Sequence, residues 1–302
     1  MKVAQRVIVL FKDLHGFGAA IFHALRPNPN SDLQSREESF DLSLEKYGIK
    51  DLKASGQIVH FQAHTGLYEV SVLLLENYEP PILACALSEV LSVLAAGESS
   101  TIPTVVVPFI VPATKLKVDS KSSATMDHAL TYGLQFGPST DVTQALVSKL
   151  HTPPPSLQVF HEQLACLLQL VRVLMLPTVV LIRKTESIHS QTSDKQLEYF
   201  VPNIAIATGR ADCLMYCQSY FVPNIAIATG RADCLMYCQP HYTNSCFAAG
   251  RADWLVYCQA AIYEIGEYLA SFSSLCLSRE RITLDPTKMC RETEEPWRAL
   301  YG

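Results

Sequence analysis

The sequence predicts a layered α/β fold, with a mixed or mostly parallel sheet flanked by helices. Three observations predict it. Apolar, β-branched runs at residues 6–11, 104–111 and 178–182 have the length and composition of buried central strands. Helical apolar spacing lies between them, most clearly at 80–96 and in the stretch that begins at 156. The 302 residues are 49% hydrophobic and 18% charged, which allows a sizeable core and excludes a disordered chain. Strands and helices alternating in this way bury helices against a sheet.

Residues 156–183 (SLQVFHEQLACLLQLVRVLMLPTVVLIR) organise the rest. Leu157, Phe160, Leu164, Leu167, Leu168, Val171, Leu174 and Met175 recur at three- and four-residue steps, on one helical face. Three prolines at 153–155 hold the chain extended beforehand, Ser156 is placed to cap the first turn, and Pro177 stops the helix. Residues 178–182 then read as a central strand. A transmembrane reading of 164–182 competes with this one. A span needs about 20 apolar residues, and Arg172 would sit near mid-bilayer at roughly 2.5–3.5 kcal/mol. The helix–strand unit is the better account, and no membrane partner is expected.

In chain order, residues 6–11 form the first strand and 16–25 a helix ended near Pro27 and Pro29. Residues 31–53 are polar, with a short helix over 37–47. Residues 57–62 and 67–76 form a hairpin turned at Gly66. A helix over 80–96 starts at Pro80 or Pro81 and closes at Gly97. The strand at 104–111 carries Pro103, Pro108 and Pro112, which limit the edges that pair. Residues 114–125 form a surface loop and 132–136 a short strand. Asp141 caps a helix running to His151, with Gln144 placed for a capping box. Residues 184–195 are a polar excursion, 260–272 an amphipathic helix, and 275–284 a last strand.

One segment breaks this rhythm. Residues 199–219 read YFVPNIAIATGRADCLMYCQS, and 220–240 repeat them with only the last residue changed. Residues 241–260 are a degenerate third copy that keeps Ala249-Gly-Arg-Ala-Asp253, Leu255 and Tyr257-Cys-Gln259. A solenoid would need polar caps that these copies lack. A recent local duplication, or an error in deriving the sequence, accounts for them. The expected organisation is one domain over 1–198 and 260–302, with a tandem-duplicated insert at 199–260.

Net charge −5 and pI near 6 argue against a nucleic-acid partner. The cluster Lys115, Lys117 and Lys121 is interrupted by Asp119 in a Ser-rich loop. The N-terminal apolar run is too short for a secretory segment. Ten cysteines then point to a reducing cytoplasm or nucleus and to free thiols.

The chemical motifs are weak. Gly16-Phe17-Gly18 follows a strand and opens a helix, but Ile21 stands where a dinucleotide site wants Gly or Ala. A helix start that needs close backbone approach is the plainer account. Cys213 and Cys217, then Cys234 and Cys238, have the spacing of metal clips. Trp254 breaks the pattern in the third copy and no histidines support it. His161-Glu162 begins like a zincin helix, yet Ala165 takes the place of the second histidine. Gly137-Pro-Ser139 leads into a helix, with Ser139, Thr140 and Asp141 as capping residues. No metal, no cofactor and no enzymatic activity are expected.

The order of strand, glycine-led helix, β-pair, helix and strand, followed by Ala165 and the leucine-rich run through Pro177 to Ile182, resembles the proteasome assembly chaperone family. The likeness is to the first member of its heterodimeric pair, of the land-plant type that ends Glu-Pro-Trp-Arg-Ala-Leu-Tyr-Gly as residues 295–302 do. It covers roughly residues 1–190 and 260–302. The resemblance implies a chaperone of 20S proteasome α-ring assembly that pairs with a second assembly-chaperone subunit. Leu300, Tyr301 and Gly302 match the hydrophobic–Tyr–any motif that docks between proteasome α subunits. The repeat has no counterpart in that family pattern. A different class also fits an α/β scaffold: a phosphorylase-like enzyme that uses the Gly16 loop as an anion site.

Overall fold

The computed structural model describes residues 1–13, 15–96, 102–112, 115–117, 131–185, 247–282 and 284, with backbone only at 117, 185 and 247–257. Its centre is a seven-stranded mixed sheet. β1 (Arg6–Phe11) lies between β5 (Tyr68–Leu75) and β6 (Thr104–Pro112), and β10 (Thr178–Thr185) follows β6. These four run parallel. β4 (Lys53–Gln62) and β3 (Gln34–Ser43) extend the β5 side, and β8 (Thr131–Phe136) closes the β10 side, all antiparallel. The parallel strands read as unbroken apolar runs because helices cover both of their faces.

α2 (Pro80–Ala95) and α4 (Glu162–Val173) bury Leu83, Leu87, Leu91, Leu164, Leu167 and Val171 on one face. α1 (Phe17–Ala24), α3 (Asp141–Val147) and α5 (Phe247–Ser273) contribute to the core on the other. There Ile21, Leu146, Ile262, Ile265 and Leu269 meet Ile8, Leu10, Val179 and Leu181. β2 (Leu25–Pro27) pairs with β11 (Leu275–Leu277), and β7 (Leu116–Lys117) with β9 (Gln158–Val159), as two small outlying sheets. The layered α/β architecture is therefore the one expected. The β6 ladder to β1 stops at Val106, two residues short of Pro108, while its ladder to β10 runs on through Pro112.

Several elements differ from expectation. Residues 34–43 form a strand where a short helix over 37–47 was expected, and only a 3₁₀ turn at Glu45–Tyr47 is helical. β3 pairs along its whole length with β4. As the outermost strand it buries only Phe40, so no apolar alternation betrays it. Ser156 caps nothing. Leu157 and Val159 are buried beside the β7–β9 pair, and α4 begins at Glu162 behind His161. α3 is capped by Thr140 rather than Asp141. Thr140 Oγ1 accepts from Thr143 N at 3.1 Å, and Thr140 N donates to Thr143 Oγ1 at 2.9 Å, so Thr143 replaces Gln144 in the box.

Pro177 does not itself end α4. Leu176 N donates to Val171 O and Met175 N to Arg172 O, a Schellman arrangement with Met175 at φ 52. The last strand is three residues long, and a 3₁₀ turn at Arg279–Arg281 follows it. α5 is longer than 260–272. It begins within the third copy of the repeat, and Cys258 of that copy is fully buried in the core. Gly97, the loop at 118–125 and the first two copies lie outside the described residues.

Candidate functional site

The Gly16 loop leaves the carboxyl end of β1, the side of a parallel sheet on which α/β proteins bind ligands. Its own side chain closes it. Asp13 Oδ1 accepts from His15 N at 2.9 Å and Phe17 N at 3.1 Å, and Oδ2 accepts from Gly18 N at 2.8 Å. These are the donors that a phosphate would take at a helix N-terminus. Gly16 supplies a left-handed φ of 76. At Gly18 an added Cβ would meet Phe11 O at 1.9 Å, so α1 rests directly on β1 backbone. The glycines serve close packing, and a carboxylate of this chain holds the anion position.

A second polar cluster was not anticipated from the sequence. Arg183, near the end of β10 and 7% exposed, places Nη1 2.8 Å from Glu264 Oε2 on α5. Glu264 Oε1 accepts from Thr131 Oγ1 at 2.5 Å. Arg183 and Thr131 are register partners between β10 and β8, so one carboxylate joins two strands to one helix. The Arg183 contact is electrostatic, without hydrogen-bond alignment, and Nε is buried without a hydrogen bond. The only signal in the sequence was a cation that follows directly on the apolar run 178–182.

The remaining titratable groups are individual. His161 accepts from Leu164 N as the α4 cap and lies edge-on to Phe109. Burial, and then the nearby Lys115, push its imidazole down to about 4. His60, joined to Ser71 at 2.9 Å and stacked on Tyr68, is also lowered, chiefly by burial. Cys85 on α2 and Cys166 on α4 are free thiols raised by burial, Cys166 to about 11. Among the described residues no group of three His, Cys, Asp or Glu could hold a metal. Cys213, Cys217, Cys234 and Cys238 lie outside them, as do Leu300, Tyr301 and Gly302.

The structure does fix where the C-terminal segment starts. Ile282 is buried, and Leu284 packs against the α1–α5 side of the core. Elsewhere the C-terminal end of α4 presents Val173 (79% exposed) and Met175 (58% exposed). Among the described residues no helix is long and apolar enough to cross a membrane.

A family model described as a domain of unknown function (DUF7894) matches residues 1–218 and 257–302. The match takes in residues 199–218 of the first copy of the repeat. Among solved structures, a protein of unknown function from Thermoplasma acidophilum is similar at 8% identity. That similarity covers 90% of each chain, with a TM-score of 0.35. No curated protein matches the chain.

Proposed function

The chain belongs to the DUF7894 family, and we propose that it is a binding protein that assists assembly of the proteasome α-ring as one half of a heterodimer. Support for a binding role over a phosphorylase-like one comes from Asp13. Its carboxylate takes the three backbone donors that an anionic substrate would need. The resemblance in the organising helix and strand supports the choice of the chaperone class. In this reading the protein acts in the cytoplasm or nucleus, needs no cofactor and carries no catalytic residue.

Docking falls to Leu300, Tyr301 and Gly302. Leu300 enters an apolar slot, Tyr301 buries its ring with its hydroxyl at the rim, and a free Gly302 carboxylate pairs with a lysine of the receiving pocket. The described part of the domain closes with Leu284 packed against the core.

The test is affinity purification of the tagged chain with mass spectrometry, alongside Tyr301→Ala and a chain lacking residues 300–302. An aromatic anchor is typically worth about 2 kcal/mol or more, so α-subunit recovery is expected to fall at least tenfold with melting temperature unchanged. Absence of proteasome α subunits from the wild-type eluate sinks the proposal. Unchanged recovery after truncation removes the tail from it.

A further inference from the structure

The amino ends of the four parallel strands lie level with one another at one end of the sheet. Arg6 of β1 is the register partner of Val70 in β5 and of Thr104 in β6. Thr178 of β10 is the partner of Val105 in β6 and of Phe136 in β8. Backbone bonds close the line: Thr104 N donates to Gln5 O and Val105 N to Pro177 O, each at 2.8 Å. The turns that enter these strands, and the turn that leaves β8 for α3, therefore share one end face.

Seven large apolar side chains are exposed among the described residues, and six of them stand at this end. Leu67 (67% exposed) leads into β5, Met1 into β1, Ile102 (53% exposed) into β6, and Val173 and Met175 into β10. Val142, in the first turn of α3, follows β8. The last two turns adjoin, because Gly137 lies so close to Leu176 backbone that an added Cβ would collide with Leu176 O. Neighbouring strands are about 4.8 Å apart, so the six form one row across the sheet. The seventh, Leu52, precedes β4, which is antiparallel to β5 and starts at the opposite end. Scattered exposed apolar residues are ordinary, but a contiguous set marks an interface.

We propose that the chain on its own forms a two-fold dimer through this end face. The six side chains expose on the order of 600 Å², close to the ~800 Å² that each partner contributes to a standard interface. The exposed charges beside them, Lys2 and Arg172 against Glu69 and Asp141, balance in sign. A second copy therefore meets no accumulated like charge, and a partner chosen by charge finds nothing to select on. An apolar face with balanced charge is complementary to itself, as a two-fold interface requires. Ligands of open α/β sheets bind at the carboxyl ends of the strands, so this end is left for association. The inference does not rest on the α-ring reading.

Sedimentation velocity of the full chain tests this. At about 50 µM a particle of two 33.5 kDa chains is expected, dissociating on dilution. Leu67→Glu and Val173→Glu lie towards opposite ends of the row, and each is expected to weaken self-association at least tenfold. Leu52→Glu, at the other end of the sheet, is expected to leave it unchanged. Circular dichroism checks that each variant is folded, and if one row variant misfolds the other decides. A wild-type monomer at that concentration overturns the proposal, as does polydisperse association beyond two chains. Folded row variants that dimerise like the wild type, or an equal loss in Leu52→Glu, overturn it as well.

Discussion

Arg183 on β10 and Glu264 on α5 lie 2.8 Å apart beneath the helix, and the arginine is almost wholly removed from solvent. Removing one partner strands the other charge in a medium that solvates it poorly. Losses of about 3–5 kcal/mol are usual for fully buried pairs. Glu264 keeps some solvent contact, so Glu264→Ala is expected to cost about 2–3 kcal/mol in a urea melt. The double change Arg183→Met with Glu264→Met is expected to recover most of that loss. Strictly additive losses in the double-mutant cycle would show that the two residues are not coupled.

His161 governs an acid-sensitive window. Its folded value of about 4 lies below the ordinary histidine value of 6.5, so the folded state favours the neutral ring that accepts from Leu164 N. The unfolded chain binds the proton more readily. The stabilising contribution is therefore complete above pH 6.5 and is lost as pH falls through 4. The loss amounts to roughly 2–3 kcal/mol at the lower end. His161→Asn keeps a neutral cap, and its melting temperature is expected to fall less between pH 7.5 and 4.5 than that of the wild type. Parallel pH profiles would refute this.

Met175 holds the left-handed corner of the α4 Schellman arrangement with an exposed side chain. A residue with a Cβ is strained there by about 1 kcal/mol, whereas glycine is not. Met175→Gly is accordingly expected to raise the melting temperature by a few degrees, against the usual penalty for added backbone freedom. A lower melting temperature would mean that Met175 contributes packing which its exposure conceals.

What the sequence made legible follows from burial. β1, β6 and β10 are covered on both faces, so their composition alone identified them. β3 was invisible because its outer edge faces water and its residues Arg36, Glu37 and Glu38 suit solvent. The start of α4 was misplaced because Leu157 and Phe160 fit a helical period by coincidence, while residue 158–159 pairing is set by a distant segment. The Asp13 cap was missed although it stands three residues before Gly16. Its role depends on a tight turn that composition does not reveal. Arg183 and Glu264 are brought together only by tertiary structure.

The position of β1 has a consequence for how the protein reaches its fold. β1 is central in the sheet, and its neighbours β5 and β6 follow only at Tyr68 and Thr104. The β6 edge is covered only when Thr178–Thr185 has emerged. Until β5 and β6 have emerged, Val7, Ile8, Val9 and Leu10 lack their strand partners, and the ribosome supplies those at about 5–20 residues per second. Pairings this distant in sequence form slowly. The nascent chain therefore carries an unpaired apolar strand for several seconds before either neighbour can join it.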